Sequence, residues 1–355
     1  MTETIGNTGN FAEKFSSEID ERFSLSSITE TAINDKFDFK GVNTVRLYSI
    51  DTAPLNDYNM NASSNRYGVP VELSSETEEM TLTKDKSFSF SIDRRNREDN
   101  MMSHDAGEAL EREIREVISP YIDTYRLKKL VDNAPSIKIE DITDTTAYTS
   151  LIDTSTTLFD KKVPVDGRIA FVSPWYYKCI KLDKNFTKNG DKGLNIAING
   201  AVGMVDKTTI IVAPTEYLPD GVNYIVTHPI AMVSPKKFSD YKIHENVPGI
   251  NGWLVEGRLY FDAFVFRKKR WAICVSKAVV QDVTITVKLN TSAAGNVEIS
   301  IGGKTVYTDG KGVAVVKLPK GTYTLTALMD GYQAVNESLT VTTAAVTKTI
   351  TFTTP

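Results

Sequence analysis

The residues of this 355-residue chain whose chemistry would be most telling are three histidines, two cysteines and two short basic runs. His104, His228 and His244 stand apart from one another and from Cys179 and Cys274. A structural zinc site gathers such ligands at close spacing, so metal ligation finds no candidate here. His104 is expected to be a solvated or capping side chain at the start of a helix. His228-Pro229 and His244-Glu245 sit in loop-like stretches and are expected at the surface. The cysteines share no framework spacing, which points to a reducing compartment and no disulfide. No nucleophile elbow, dinucleotide fingerprint or P-loop occurs. Gly200-Ala-Val-Gly203 is too short to cradle a phosphate. A catalytic triad is a spatial object that a sequence can hide, yet no catalytic, cofactor-binding or metal-binding residue is nominated. The expectation is a protein that is not an enzyme.

The basic runs are Arg94-Arg95-Asn96-Arg97 and Arg267-Lys268-Lys269-Arg270. Each suits phosphate contact, but intersubunit salt bridges or solvated turns are the stronger reading. Glu98 and Asp99 follow the first run at once. A formal net charge of −4 also argues against a dedicated nucleic-acid binder, which concentrates positive charge. Lys84, Lys86 and Lys288 are candidate donors for a Lys–Asn isopeptide bond, which would require a buried carboxylate beside the pair.

The elements that must carry these residues are legible from periodicity. Met80, Leu82, Lys84, Lys86, Phe88, Phe90 and Ile92 alternate with polar Thr81, Thr83, Asp85, Ser87, Ser89, Ser91 and Asp93, a strand signal. The stretch Val42–Ile50 reads as its outgoing partner, giving a two-stranded ribbon with a long polar tip over 51–79. A loop of that size fits an arm ordered by partners better than a compact domain. Next, Ala106, Ala109, Leu110, Ile114, Val117, Ile118, Tyr121, Ile122 and Tyr125 form an apolar stripe on one long helix. Pro120 within it should kink or split that helix.

Before the ribbon, Phe11, Phe15, Ile19 and Phe23 stand four apart, a short amphipathic helix that must dock to be ordered. Thr145–Phe159 reads as a weaker helix and Arg168–Val172 as a buried strand. Ser173-Pro174 reads as N-cap and first helical residue, and Thr208–Val212 as another buried strand. The segment Gly257–Phe266, the basic turn and Trp271–Val275 read together as a hairpin. Helices and strands mix without a βαβ rhythm, so the class is α+β. From Gln281 onward there is no Arg, Cys, His or Trp, and short Val- and Thr-rich strands alternate with Gly turns. That pattern describes a small all-β sandwich. No apolar run approaches a membrane span, the start is not a signal peptide, and 41% hydrophobic residues supply an ordinary core.

This order of elements resembles the HK97 fold of tailed-bacteriophage major capsid proteins. Phe11–Phe23 matches the N-arm, Gly41–Asp93 the E-loop and Ser103–Asn133 the spine helix. Val163-Pro-Val-Asp-Gly-Arg-Ile-Ala-Phe-Val-Ser-Pro174 is similar to the phrase where such chains pass into the axial domain, and Gly257–Val265 to the late strand that returns to the peripheral domain. The terminal segment separately resembles bacterial immunoglobulin-like or carboxypeptidase-regulatory-like modules, through Thr308-Asp-Gly-Lys-Gly-Val313, Leu318-Pro-Lys-Gly-Thr-Tyr323 and Gly331-Tyr332.

The resemblance implies an N-arm over 1–35, an E-loop over 36–95 and a peripheral domain over 96–145 and 235–280. It places an axial domain over 146–234 and an outward-displayed immunoglobulin-like sandwich over 281–355. It further implies a homo-oligomer of pentamers and hexamers closing an icosahedral shell around double-stranded DNA, contacted non-specifically. The virion capsid would be assembled in the host bacterial cytoplasm, with a portal, a separate scaffolding protein or none, and no membrane. A host-surface or glycan ligand of residues 281–355 is a further implied partner. On this view the intersubunit contact candidates are Phe11, Phe15, Ile19, Phe23, Lys84, Lys86, Phe88, Phe90, Arg94, Arg95, Arg97 and Arg267, Lys268, Lys269, Arg270. An encapsulin-like nanocompartment shell shares the fold and is the alternative, with a surface or tail adhesin behind it.

Overall fold

The computed structural model describes residues 27–34, 44–50, 53–61, 63–70, 72, 75–93, 106–188, 201–245, 247–249 and 251–353. The expected Phe11–Phe23 helix, Arg94, Arg95, Arg97 and His104 lie outside them.

Strands β1 (Thr44–Ile50) and β2 (Ser75–Thr81) pair antiparallel from Thr44↔Thr81 to Ile50↔Ser75. The ribbon ends there. The following strand, β3 (Lys84–Asp93), changes partner and pairs antiparallel with a late strand, β11 (Gly252–Phe261). This corrects the expectation of one returning ribbon strand from Met80 to Asp93. The period-two pattern is real and unbroken, but alternation reports which face is buried and is blind to which neighbour supplies the hydrogen bonds.

Helix α1 (Ala106–Glu113) leads through a π-helical turn, Ile114–Ile118, into α2 (Ser119–Asp132). Pro120 has no N–H to offer the Glu116 carbonyl and its ring would press on that oxygen. The helix widens instead, and the Ser119 N–H bonds to the Ile114 carbonyl five residues back, a π-bulge. The buried positions therefore step by four: Leu110, Ile114, Ile118, Ile122, then Arg126 and Leu130. Val117 and Tyr121, expected in the stripe, are 52% and 41% exposed. The extra residue in the turn moves them out of phase.

The inner face of β3 and β11 covers this helix. Leu259 and Phe261 close a small core with Leu110, Ile114, Ile118 and Ile122, and Phe88 packs against it. Gly257 lies opposite Phe88 in the register, and a Cβ there would meet the Phe88 ring at 2.2 Å. Gly257→Ala is thus expected to displace that ring and to lower stability by about 1–3 kcal/mol, the usual cost of overpacking. Adding Phe88→Leu should recover part of it; equal melting temperatures for Gly257→Ala and the parent would refute this.

The central sheet has six strands. β4 (Ser136–Ile139), β5 (Ile169–Val172), β6 (Ala201–Val205), β7 (Thr208–Val212), β8 (Val222–Thr227) and β13 (Cys274–Lys277) run in the order β4-β13-β8-β5-β7-β6. β5 and β8 are buried along their whole length, which explains why both read as unbroken apolar runs. α3 (Ala147–Asp160) and α4 (Pro174–Leu182) contribute Leu151, Leu158, Tyr176 and Ile180 to its core. Ser173 caps α4 as expected, accepting from the Tyr176 N–H at 3.2 Å. α5 (Lys184–Lys188) follows.

The expected hairpin over Gly257–Val275 is absent. β11 pairs with β3 and with β10 (Lys236–Glu245). The short β12 (Phe264–Val265) pairs with β9 (Met232–Val233), and β13 joins the central sheet beside β4 and β8. Arg267–Ala272 is a 3-10 helix that carries the chain from one sheet to the other. Two apolar runs around a short polar stretch suit a hairpin and such a crossing equally well.

Residues 280–353 form two facing four-stranded sheets. β14 (Val280–Leu289), β15 (Ser292–Ala293), β18 (Val313–Pro319) and β21 (Val346–Phe352) make one. β16 (Glu298–Ile301), β17 (Lys304–Tyr307), β19 (Gly321–Leu328) and β20 (Val335–Val341) make the other. They enclose their own core, with Val283, Ile285, Val297, Ile299, Leu325, Val341 and Ile350 at its centre. Gly302 and Gly303, at φ +60° and +75°, make the two-residue turn between β16 and β17, a conformation that favours glycine at both positions. The short strands and glycine turns expected from the sequence are both present.

Candidate functional site

The largest group of buried charge among the described residues lies where Ser27–Glu30 and the root of the ribbon both meet α2. Asp123 is 1% and Arg126 0% exposed. Asp123 accepts from the Ser27 hydroxyl at 2.6 Å, the Thr29 hydroxyl, and the Ile28 amide at 3.1 Å. Burial pushes its carboxyl up from the ordinary value, against the downward pull of Ser27, Thr29 and Arg126. Arg126 donates through Nη1 to Glu30 Oε2 at 2.9 Å and through Nε to Ser234 Oγ at 2.9 Å. Lys236 Nζ reaches the other Glu30 oxygen at 2.8 Å. For Glu30, burial acts upward, but Arg126 and Lys236 together outweigh it and hold the carboxyl below its usual value. The segment Ser27–Glu30 is therefore fastened to the helix by charge-assisted hydrogen bonds.

A second carboxylate fastens the ribbon. Asp262 Oδ2 accepts from the Thr83 amide at 3.0 Å and from its hydroxyl at 2.7 Å, and Oδ1 accepts from Tyr125 OH at 2.7 Å. Tyr260 OH donates to the Leu82 carbonyl at 2.7 Å. Met80 sits in a small core with Val233 and Phe266. The Ser234 hydroxyl donates to the Asp262 carbonyl at 2.8 Å and so joins the two clusters. What this joint can do is mechanical: it fixes two segments, Ser27–Glu30 and the root of the ribbon, to one helix.

At the far end of the ribbon the chain is turned, not shapeless. The Asn59 amide bonds to the Arg66 carbonyl at 3.0 Å, and Tyr58 meets Tyr67 edge-on at 5.0 Å. The tip read as polar in sequence, yet Leu55, Met60, Tyr67 and Val69 are 101%, 72%, 82% and 71% exposed. Several large apolar groups exposed on one loop are a feature of interaction surfaces.

No family model matches the sequence, and no curated protein matches it. Solved structures do. A structure of Mycobacterium phage Che8 shares 14% identity, over 70% of this chain and 90% of that one, with a TM-score of 0.52. The capsid structure of the cyanophage P-SCSP1u matches at 10% identity, over 67% and 84% of the two chains, with a TM-score of 0.53. The head structure of Helicobacter pylori bacteriophage KHP40 matches at 10% identity, over 72% and 90%, again with a TM-score of 0.53.

The chain has a phage capsid fold. On that fold, the nominated contact residues scatter. Phe88 and Phe90 stack at 6.3 Å on the inner face of β3. Lys84 and Lys86 cover the rings of Tyr125 and Tyr121 at 5.4 and 5.7 Å, an intrachain cation–π use. Arg267, Lys268, Lys269 and Arg270 are all exposed on the 3-10 helix. Sequence reasoning missed Asp123, Arg126 and Asp262. One signal was there: Arg126 continues the four-residue step of the buried stripe, and a charge in core phase marks a paired site.

His228 was expected at the surface, yet it is buried. Its Nδ1 accepts from the Ile230 amide at 3.1 Å, which leaves Nε2–H to donate to the Asp166 carbonyl at 3.0 Å. Burial above all, with Arg168 and Lys269 adding to it, lowers its pKa. Both ring nitrogens are thus used in holding a turn. Half-buried Glu140 accepts from Ser276 Oγ at 2.7 Å and also from Ser150; no histidine takes part, and the cluster holds α3 against the sheet. Among the described residues no group of His, Cys, Asp and Glu is placed to hold a metal ion, and no helix is long and apolar enough to cross a membrane.

Proposed function

We infer that this chain is a major capsid protein of a tailed bacteriophage, a structural subunit and not an enzyme. The observation that carries this reading is the likeness to phage capsid and head structures over about seven-tenths of the chain. The geometry supports it. A ribbon whose two strands form a sheet of their own, with apolar groups exposed at its tip, is anchored at its root by Asp262, while Ser27–Glu30 is anchored by Asp123 and Arg126.

In the assembly, subunits form pentamers and hexamers, and these close an icosahedral shell around double-stranded DNA. The ribbon lies across a neighbouring subunit, with its exposed tip as the contact. Many modest contacts per subunit then hold the shell through multivalency, and symmetry turns one set of interfaces into a closed container. A portal is a further partner, with a separate scaffolding protein or none, and the sandwich faces outward, where a host-surface glycan is a fitting ligand.

Electron microscopy of the purified full-length chain, alone and co-expressed with a scaffolding protein, tests this directly. Closed icosahedral particles are expected. A monodisperse monomer under both conditions, at high concentration, would overturn it.

A further inference from the structure

The second basic run is one half of a larger patch that the fold assembles. The 3-10 helix Arg267–Ala272 lies against the C-terminal end of α3, where Lys161 and Lys162 follow Asp160. Lys161 Nζ sits 4.7 Å from the centre of the Trp271 ring, and the Arg270 guanidinium 5.9 Å from it. Trp271 is 44% exposed. The Arg267 amide donates to Glu78 at 3.3 Å, so that contact uses the backbone and leaves the guanidinium in solvent. None of Lys161, Arg267, Lys269 and Arg270 has a carboxylate partner among the described residues. The positive field reaches inward, since Lys269 and Arg168 both act to lower the pKa of His228, behind the larger effect of burial.

A chain of net charge −4 that gathers cations from two distant segments, sets two of them against one indole ring and, among the described residues, pairs none of these four with a carboxylate presents a surface suited to anions. The extended spread of the cations, over both segments, suits a polyanion with repeated charges better than a single small anion.

Topology gives the patch a direction. Arg168 stands just before β5, Cys274 opens β13 and β8 ends at Thr227, all at the end of the sheet nearest the patch. At the opposite end Lys277 closes β13, the Ala278 amide bonds to the Gly221 carbonyl at 2.7 Å, and Lys304 of the sandwich pairs with Asp220. Patch and sandwich therefore occupy opposite ends of the central strands.

We propose that the surface formed by Lys161, Arg267, Lys269, Arg270 and Trp271 binds the phosphate backbone of nucleic acid without reading its sequence. Its position inside a shell, facing the packaged duplex, rests on the capsid reading above and on outward display of the sandwich; the binding itself does not.

The test is fluorescence anisotropy of the full chain with labelled DNA duplexes of two unrelated sequences, across a salt series. Equal binding of both duplexes is expected. The triple variant Arg267→Ala, Lys269→Ala, Arg270→Ala should bind at least about tenfold more weakly at low salt, with the slope of log affinity against log salt shallower by about 2–3. A charge-keeping variant, Arg267→Lys, Lys269→Arg, Arg270→Lys, should stay within about threefold of the parent, because the contact is with charge and not with a particular donor geometry. No binding by the parent would overturn the proposal. So would an alanine variant that binds like the parent, or both variants weakened alike. Anisotropy is read on unassembled subunits, because a closed shell would shut the patch in: subunits that bind no duplex yet go on to form shells would sink the patch alone, and duplex binding by a chain that never forms shells would sink the capsid reading alone.

Discussion

Arg126→Ala is expected to cost the body of this protein about 3–5 kcal/mol, the range for removing one partner of a buried ion pair. The guanidinium is wholly buried and sits between Glu30, Ser234 and the hydroxyls that serve Asp123. Its loss leaves two carboxylates at the joint with Lys236 as the nearest remaining cation, on the Glu30 side only. Arg126→Met, which keeps most of the packing volume, should recover little. Adding Glu30→Gln to it should recover more, because the isolated charge is the main penalty. Urea unfolding followed by circular dichroism reads this. The sandwich, with its separate core, should unfold at an unchanged midpoint and so serves as an internal control. If the body's midpoint is also unchanged in Arg126→Ala, the joint does not hold the fold together.

Asp262→Ala is expected to release the ribbon root at a cost of roughly 3 kcal/mol, since hydrogen bonds to an ionised acceptor contribute about 1.5–3 kcal/mol each and do not simply add. Thr83 would lose the acceptor for both its amide and its hydroxyl, and Tyr125 the acceptor for its phenol. The loss is local. Hydrogen exchange should speed up at Thr83 and at the β2 end of the ribbon. The β3–β11 ladder, made of backbone bonds from Gly252↔Asp93 to Phe261↔Lys84, should keep its protection. Asp262→Asn retains an oxygen acceptor and should fall between. On the capsid reading, particles from Asp262→Ala should be fewer or misshapen by microscopy. Unchanged exchange at Thr83 would show that the latch contributes nothing.

Much of this architecture is legible in the sequence, and the readable part has one character. Alternation through Met80–Asp93, the break at Pro120, the cap at Ser173 and the glycine turns of the sandwich are properties of neighbouring residues. The misreadings share the opposite character. Gly257–Val275 looked like a hairpin because two apolar runs flank a polar one, yet its strands belong to different sheets. Val117 and Tyr121 fell out of the buried stripe because one π turn shifted the phase. The ribbon appeared longer than it is because β3 keeps the same alternation with another partner.

The joint is the sharpest case. Asp123 and Arg126 look like ordinary helix-surface charges until Ser27–Glu30, Ser234 and Lys236 are brought around them. The same holds for the basic patch, whose two halves are about a hundred residues apart in the chain and meet only at Trp271. By itself the sequence determined the period, the breaks and the caps, because those depend on steric and hydrogen-bonding preferences within a few residues. The tertiary structure alone decided strand partners, which charges are buried and which cations stand together. Those depend on contacts between distant segments, and a backbone hydrogen bond carries no label for the strand it will join.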